Sequence, residues 1–158
     1  MVHKRLSQQL GKALADRGWV LATAESCTGG GVATAVTDIA GSSAWFDRAF
    51  VTYSNEAKME MLGVKADTLI QFGAVSEPVV EEMSQGALSR SHADISVAIS
   101  GIAGPGGGSD EKPVGTVCFG FATRQGESTV TTCIFAGDRA QVRTEAIEYA
   151  LKSLIKMI

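Results

Sequence analysis

Apolar positions along this chain recur with two periods, and the switches between them outline its elements. From residue 3 to residue 17, Leu6, Leu10, Ala13 and Leu14 fall on one helical face, and Gly18 supplies a C-terminal stop. "WVLATAES" (19–26) reads as a short buried strand running into "CTGGGVATAVTDIA" (27–40), which is predicted helical despite its glycines. "AFVTYS" (49–54) is strand-like, "NEAKMEML" (55–62) helical, and "ADTLIQFG" (66–73) a second short helix closed by Gly73. The stretch 76–91 opens with Ser76 as the expected N-cap and carries Pro78 in its first turn. "ADISVAIS" (93–100) is a buried strand, followed by a glycine-rich loop over 101–115. "TVCFGFAT" and "STVTTCIFA" flank a Gln125-Gly126 turn, which predicts a β-hairpin. A long amphipathic helix from about Asp138 to Lys156 follows.

Strands alternating with helices and then a hairpin predict a mixed sheet covered on both faces, a three-layer α/β/α domain. The 158 residues show no internal repeat and no long linker, so residues 1–158 are expected to form one domain.

Composition narrows the function classes. With 45% hydrophobic and 20% charged residues the chain has ordinary globular composition. A net charge of -3 without a lysine- or arginine-rich run argues against a nucleic-acid partner. Any anionic ligand then needs local help from backbone amides, helix ends and chosen arginines. Three cysteines without CxxC spacing fit free thiols in a reducing compartment. The N-terminus lacks a signal-peptide core, and no stretch of about 18 apolar residues suggests a membrane span. A soluble, cytoplasmic protein is the expectation.

Candidate chemistry concentrates in "TAESCTGG" (23–30). A strand ending where a helix begins presents side chains and free amides at the carboxyl edge of a sheet. Ser26 there would lie beside ready-made oxyanion donors, and Gly29 and Gly30 would let a ligand approach closely. The pattern is not the G-x-S-x-G elbow, since Ala24 stands at its first glycine. Read alone, the octet favours a plain helix start capped by Ser26 or Thr28. Cys27 competes as nucleophile, because a helix N-terminus lowers a thiol's pKa. The only histidines, His3 and His92, show no ligand or triad spacing, so a zinc site or a histidine base is not expected.

Two further segments qualify. In "YSNEAK" (53–58), Tyr53 ends a strand and Lys58 follows about one helical turn in, with Ser54 or Asn55 as cap. A desolvated lysine can serve as a base, and a tyrosine hydroxyl can relay a proton or hold it. On spacing alone a solvated lysine paired with Glu56 or Glu60 is the stronger reading. In "SGIAGPGGGSDEKPVG", five of the residues Ser100 to Gly107 are glycine or proline, without a Walker A or G-x-G-x-x-G pattern. Successive amides there can bind an anion, or the segment is an irregular surface loop. Arg139 opens the last helix at the end where the dipole disfavours cations, so it either shares an anion with that terminus or is simply solvated.

Taken together, "TAESCTGG", "AGSSAWFDRAFVTYSNEAK", "GAVSEP", "SGIAGPGGGSDEKPVGT" and "FAGDRAQVR" resemble the CinA C-terminal domain family, in order and over essentially the whole chain. The match is with its stand-alone members, the bacterial nicotinamide-nucleotide amidases. CinA's second domain, which resembles molybdopterin-binding proteins, has no counterpart in this sequence. The resemblance implies a three-layer α/β/α homodimer that converts nicotinamide mononucleotide (NMN) to nicotinic acid mononucleotide and ammonia in the cytoplasm, recycling pyridine nucleotide. It puts the nucleophile at Ser26 and its tyrosine and lysine at Tyr53 and Lys58. Backbone amides around Cys27, Thr28, Gly29 and Gly30 then form the oxyanion site. The phosphate falls to the segment Ser100, Gly101, Ile102, Ala103 and Gly104 with Arg139. The scheme needs no metal or cofactor. Two other readings stand beside it: a nucleotide-binding module that keeps the pocket without turnover, and a Cys27 thiol hydrolase.

Overall fold

The computed structural model describes residues 3–158. Helix α1 (Lys4–Arg17) ends on Gly18 in a left-handed conformation and buries Leu10 and Leu14 completely. Full burial of such a side chain contributes about 1.5–3 kcal/mol. Strand β1 (Leu21–Glu25) follows, then helix α2 (Gly31–Thr37). A 3-10 turn (Ser42–Ala44) leads into β2 (Phe46–Val51) and α3 (Asn55–Leu62). Helices α4 (Ala66–Phe72) and α5 (Glu77–Ser89) precede β3 (Ile95–Gly101), the hairpin β4 (Thr116–Thr123) and β5 (Ser128–Ile134), and α6 (Arg139–Met157).

The five strands form one sheet in the order β2-β1-β3-β4-β5. β1 runs parallel to both β2 and β3, whereas β4 and β5 complete the sheet antiparallel. The mixed sheet predicted from the alternation of elements is therefore present, with helices on both faces. Side-chain alternation divides the core. Leu21, Ile95, Val97, Ile99, Val117 and Phe119 pack with α1, α2 and α6. Ala22, Ala24, Ala98, Cys118 and Ala122 face α5. That second face is built of small residues, so α5 lies close upon it. A Cβ at Gly120 would stand 2.4 Å from the Val80 carbonyl oxygen.

Element boundaries depart from the sequence expectation most around the site, where α2 covers 31–37 rather than 27–40 and β2 covers 46–51 rather than 49–54. Helix α2 begins at Gly31, so Cys27 to Gly30 form a turn rather than a first helical turn, and Gly29 and Gly30 have φ of 59° and 95°. Those angles favour glycine and open the chain between strand and helix. Strand β2 stops at Val51, which leaves Tyr53 two residues beyond it. Ser76 does occupy the N-cap of α5, but its hydroxyl donates back to the Gly73 carbonyl rather than capping. Two helix starts follow the sequence: Ser54 caps α3 by accepting from Ala57 N–H, and Asp138 caps α6 in a capping box with Gln141. Among the described residues no helix is long and apolar enough to cross a membrane.

Candidate active site

The register of the parallel strands assembles the site. Glu25 pairs with Val51 on one side and Ile99 on the other, so the next residues along the chain, Thr52, Ser26 and Ser100, lie side by side at one sheet edge. The pleat persists one residue past β1, because Ser26 N–H donates to the Ile99 carbonyl. Glu25 and Ser26 therefore point to opposite faces.

Glu25, fully buried, turns toward α2. Its carboxylate accepts from the Thr23 and Thr28 hydroxyls and from the amides of Val32 and Ala33, at 2.7–3.0 Å. It satisfies the free amides of a short helix whose N-cap, Gly30, has no side chain to do so. Glu25 is thus the cap of α2, acting from beneath the turn.

Ser26 turns the other way, toward α3. Lys58 Nζ lies 3.0 Å from Ser26 Oγ, 2.9 Å from the Thr52 carbonyl oxygen and 3.4 Å from that of Tyr53. Lys58 is only 1% exposed. Among the described residues the ion pairs are Lys12–Asp16, Arg48–Asp47 and Lys152–Glu148, so neither Glu56 nor Glu60 neutralises it. Burial without a carboxylate partner pushes the Lys58 amine below the usual lysine range. A neutral amine has two N–H bonds and one lone pair. In that form the two N–H bonds suffice for the two carbonyls, which leaves a lone pair for the Ser26 hydroxyl.

The Cys27 thiol behaves oppositely. It is buried, and burial pushes its pKa up to about 11, outweighing the nearby Arg143 charge. It is a neutral thiol at physiological pH. The lowering expected of a helix N-terminus is absent because the residue precedes the helix and lies out of water.

Ser26, Cys27 and Lys58 line a cavity of about 290 Å³, together with Tyr53, Asn55, Ala74, Val75, Arg139 and the segment Ser100 to Gly104 with Gly106 and Gly107. Such a volume is at the lower end of the range for small-molecule sites. A scan against family models matches residues 3–158 to the CinA C-terminal domain. The chain belongs to that family.

This CinA C-terminal domain is 63% identical over 150 residues to the nicotinamide-nucleotide amidohydrolase PncC of Escherichia coli K12, covering 95% of the chain and 91% of that protein. It is 57% identical over 151 residues to the protein of the same name from Enterobacter agglomerans, covering 96% and 92%. The crystal structure of the competence/damage inducible protein CihA from Agrobacterium tumefaciens superposes with a TM-score of 0.96 at 45% identity, covering 99% of this chain and 95% of that one.

Within the CinA domain, the remaining predicted residues reach the cavity in different ways. Tyr53 touches Lys58 through its carbonyl only. Its hydroxyl, on a side chain 61% exposed, accepts from Arg139 Nη2 at 3.0 Å. Arg139 Nη1 donates to the Gly104 carbonyl at 2.8 Å, so the guanidinium bridges the two lips of the cavity. Ser100 and Gly101 belong to β3, and Ile102 N–H is consumed by the Thr116 carbonyl. Amides from Ala103 onward are the part of the loop left to meet a ligand. Sequence reasoning missed Arg143, whose guanidinium donates to the Cys27 and Thr28 carbonyls behind the turn. Its signal was present in "RAQVR": Arg139 and Arg143 are four apart and share a helix face.

Proposed function

We propose that this protein is a serine amidase that hydrolyses the carboxamide of nicotinamide mononucleotide to nicotinic acid mononucleotide and ammonia. The observation that carries the reading is the buried Lys58 amine 3.0 Å from Ser26 Oγ, held by two carbonyls and no carboxylate. High identity to amidohydrolases named for nicotinamide nucleotide supports the substrate.

In this reading neutral Lys58 takes the Ser26 proton as Oγ attacks the amide carbon, activating a hydroxyl that is weakly nucleophilic by itself. Amides of the Cys27–Gly30 turn other than that of Gly29, which the Ser26 carbonyl takes, hold the developing oxyanion, each such donor being worth about 3 kcal/mol of barrier. The lysine ammonium returns the proton to the departing nitrogen, and ammonia leaves. Water, deprotonated by the same amine, then opens the acyl-serine. Tyr53 contributes its carbonyl to orienting Lys58 and its hydroxyl to orienting Arg139. Arg139 and the loop from Ala103 to Gly107 receive the 5'-phosphate. Recycling of pyridine nucleotide in the cytoplasm, by a homodimer, belongs to the same proposal.

Ammonia release from nicotinamide mononucleotide by purified protein, with Ser26→Ala as control, tests the reading. Turnover by wild type and none by Ser26→Ala supports it. A wild type that binds the nucleotide without releasing ammonia would instead make the protein a binding module.

A further inference from the structure

Two cavities bracket the Ser26–Gly30 turn. Ser26 and Cys27 line the one already described, and Thr28, Gly29 and Arg143 line another of about 400 Å³ on the other side. Arg143 Nε donates to the Cys27 carbonyl at 3.1 Å and Nη2 to the Thr28 carbonyl at 3.2 Å. The Thr28 carbonyl also accepts from Gly31 N–H, and the Ser26 carbonyl from Gly29 N–H. In a planar trans peptide the C=O and N–H point in opposite directions. Drawing the Cys27 carbonyl back toward Arg143 therefore turns the Thr28 N–H forward, to the Ser26 side. Among the described residues that N–H donates to no protein acceptor, whereas those of Ser26, Gly29 and Gly31 are used within the fold. With glycine at 29 and 30 the turn has little stiffness of its own.

We propose that Arg143 is a positioning residue for the amidase reaction. Its guanidinium fork holds the rear carbonyls of the turn so that the forward amide is aimed at the oxyanion formed on Ser26. The inference rests on Ser26 being the nucleophile, as proposed above. It assigns Arg143 no contact with substrate, in contrast to Arg139 one helical turn away.

Removing the fork leaves the amide in place but unaimed. The loss falls on the transition state, so kcat drops while KM holds. Losing one oxyanion donor outright costs about 10²–10³ in kcat, so misdirection is expected to cost about 10- to 100-fold. Arg143→Ala and Arg143→Lys are compared with wild type for kcat, KM and thermal unfolding, and guanidinium chloride at about 10 mM is added to Arg143→Ala. Expected are a kcat order of Ala below Lys below Arg, KM within about twofold, and partial recovery with guanidinium, which can enter the cavity vacated by the side chain. A kcat within twofold of wild type in either variant, or a loss expressed in KM, overturns the inference. Should Arg143→Ala not fold, Arg143→Lys decides by the same criteria. A fluorophosphonate that phosphonylates Ser26 Oγ, with loss of fluoride, gives a second readout independent of substrate. Slow labelling of the variants beside fast labelling of wild type supports the role of Arg143 even if nicotinamide mononucleotide proves the wrong substrate. Equal labelling rates overturn it.

Discussion

Lys58 and Ser26, 32 residues apart in sequence, meet at 3.0 Å between Nζ and Oγ across the carboxyl edge of the sheet. The lysine is buried and has no carboxylate beside it, so its amine is held below the usual lysine range. The amidase reading depends on this relationship, and substitutions at the two residues separate it from the alternatives.

Ser26→Ala is expected to abolish ammonia release, while Cys27→Ala keeps a substantial part of it. The reason is the protonated state of the Cys27 thiol, whose pKa burial raises to about 11. Initial rates of ammonia formation check this, and the reverse ordering would move the nucleophile to the thiol.

Lys58→Met is expected to be inactive at neutral pH yet still to bind nucleotide. In the wild type, kcat/KM should rise with pH along an acidic limb as Lys58 loses its proton. The apparent pKa of that limb lies below the ordinary lysine value of 10.5, because burial disfavours the ammonium. Stability has the corresponding sign. The folded state binds the Lys58 proton more weakly than the unfolded chain, so this group's contribution to stability increases with pH between the depressed folded value and 10.5. A pH profile limited on the acidic side by a pKa at or above 10.5 would remove Lys58 as base.

Tyr53→Phe removes a hydroxyl whose partner is Arg139, not Lys58. KM is expected to rise several-fold with kcat little changed, as for Arg139→Ala, because in the proposed reading both act on a remote part of the substrate. Steady-state kinetics of the two variants and their double mutant check it. A selective fall in kcat for Tyr53→Phe would instead place the hydroxyl in the proton path.

Glu25→Ala leaves two helix amides and the Thr23 and Thr28 hydroxyls without their acceptor. Each unsatisfied buried group costs about 1–3 kcal/mol, so urea unfolding should show a loss of about 3 kcal/mol or more. Glu25→Gln, which keeps an acceptor oxygen, should lose less. Equal stability of all three proteins would refute the capping role.

Gly120→Ala tests the contact between α5 and the sheet. Its Cβ would meet the Val80 carbonyl oxygen at 2.4 Å, so α5 must shift. Overpacking of this kind costs about 1–3 kcal/mol, and at about 2–4 °C per kcal/mol for a domain of this size Tm should fall by roughly 2–12 °C. Thermal unfolding followed by circular dichroism gives the comparison.

Much of the fold was legible because helix and strand periods are set by short-range sterics. The α6 capping box, the left-handed stop at Gly18 and the 124–127 hairpin connection each rest on residues within a few positions of one another. The turn after β1 was less legible. The sequence pattern predicts a helix from residue 27, whereas the glycines form a turn and the Glu25 carboxylate, arriving from the strand below, caps a helix that begins at Gly31.

For the site, the sequence by itself determined that Glu25 and Ser26 face opposite ways at the end of a strand, since strand side chains alternate, and that Arg139 and Arg143 share a helix face, since 3.6 residues make a turn. Tertiary structure alone decided that Lys58 meets Ser26, that the Tyr53 hydroxyl goes to Arg139, and that Arg143 reaches behind the Cys27–Gly30 turn. These contacts depend on parallel strands that bring the ends of β1, β2 and β3 to one edge, and on the packing of α3 and α6 there. The depressed amine has the same origin. A lysine's charge is disfavoured by the water removed around it, and that removal is a property of the packed site rather than of residues adjacent in the chain.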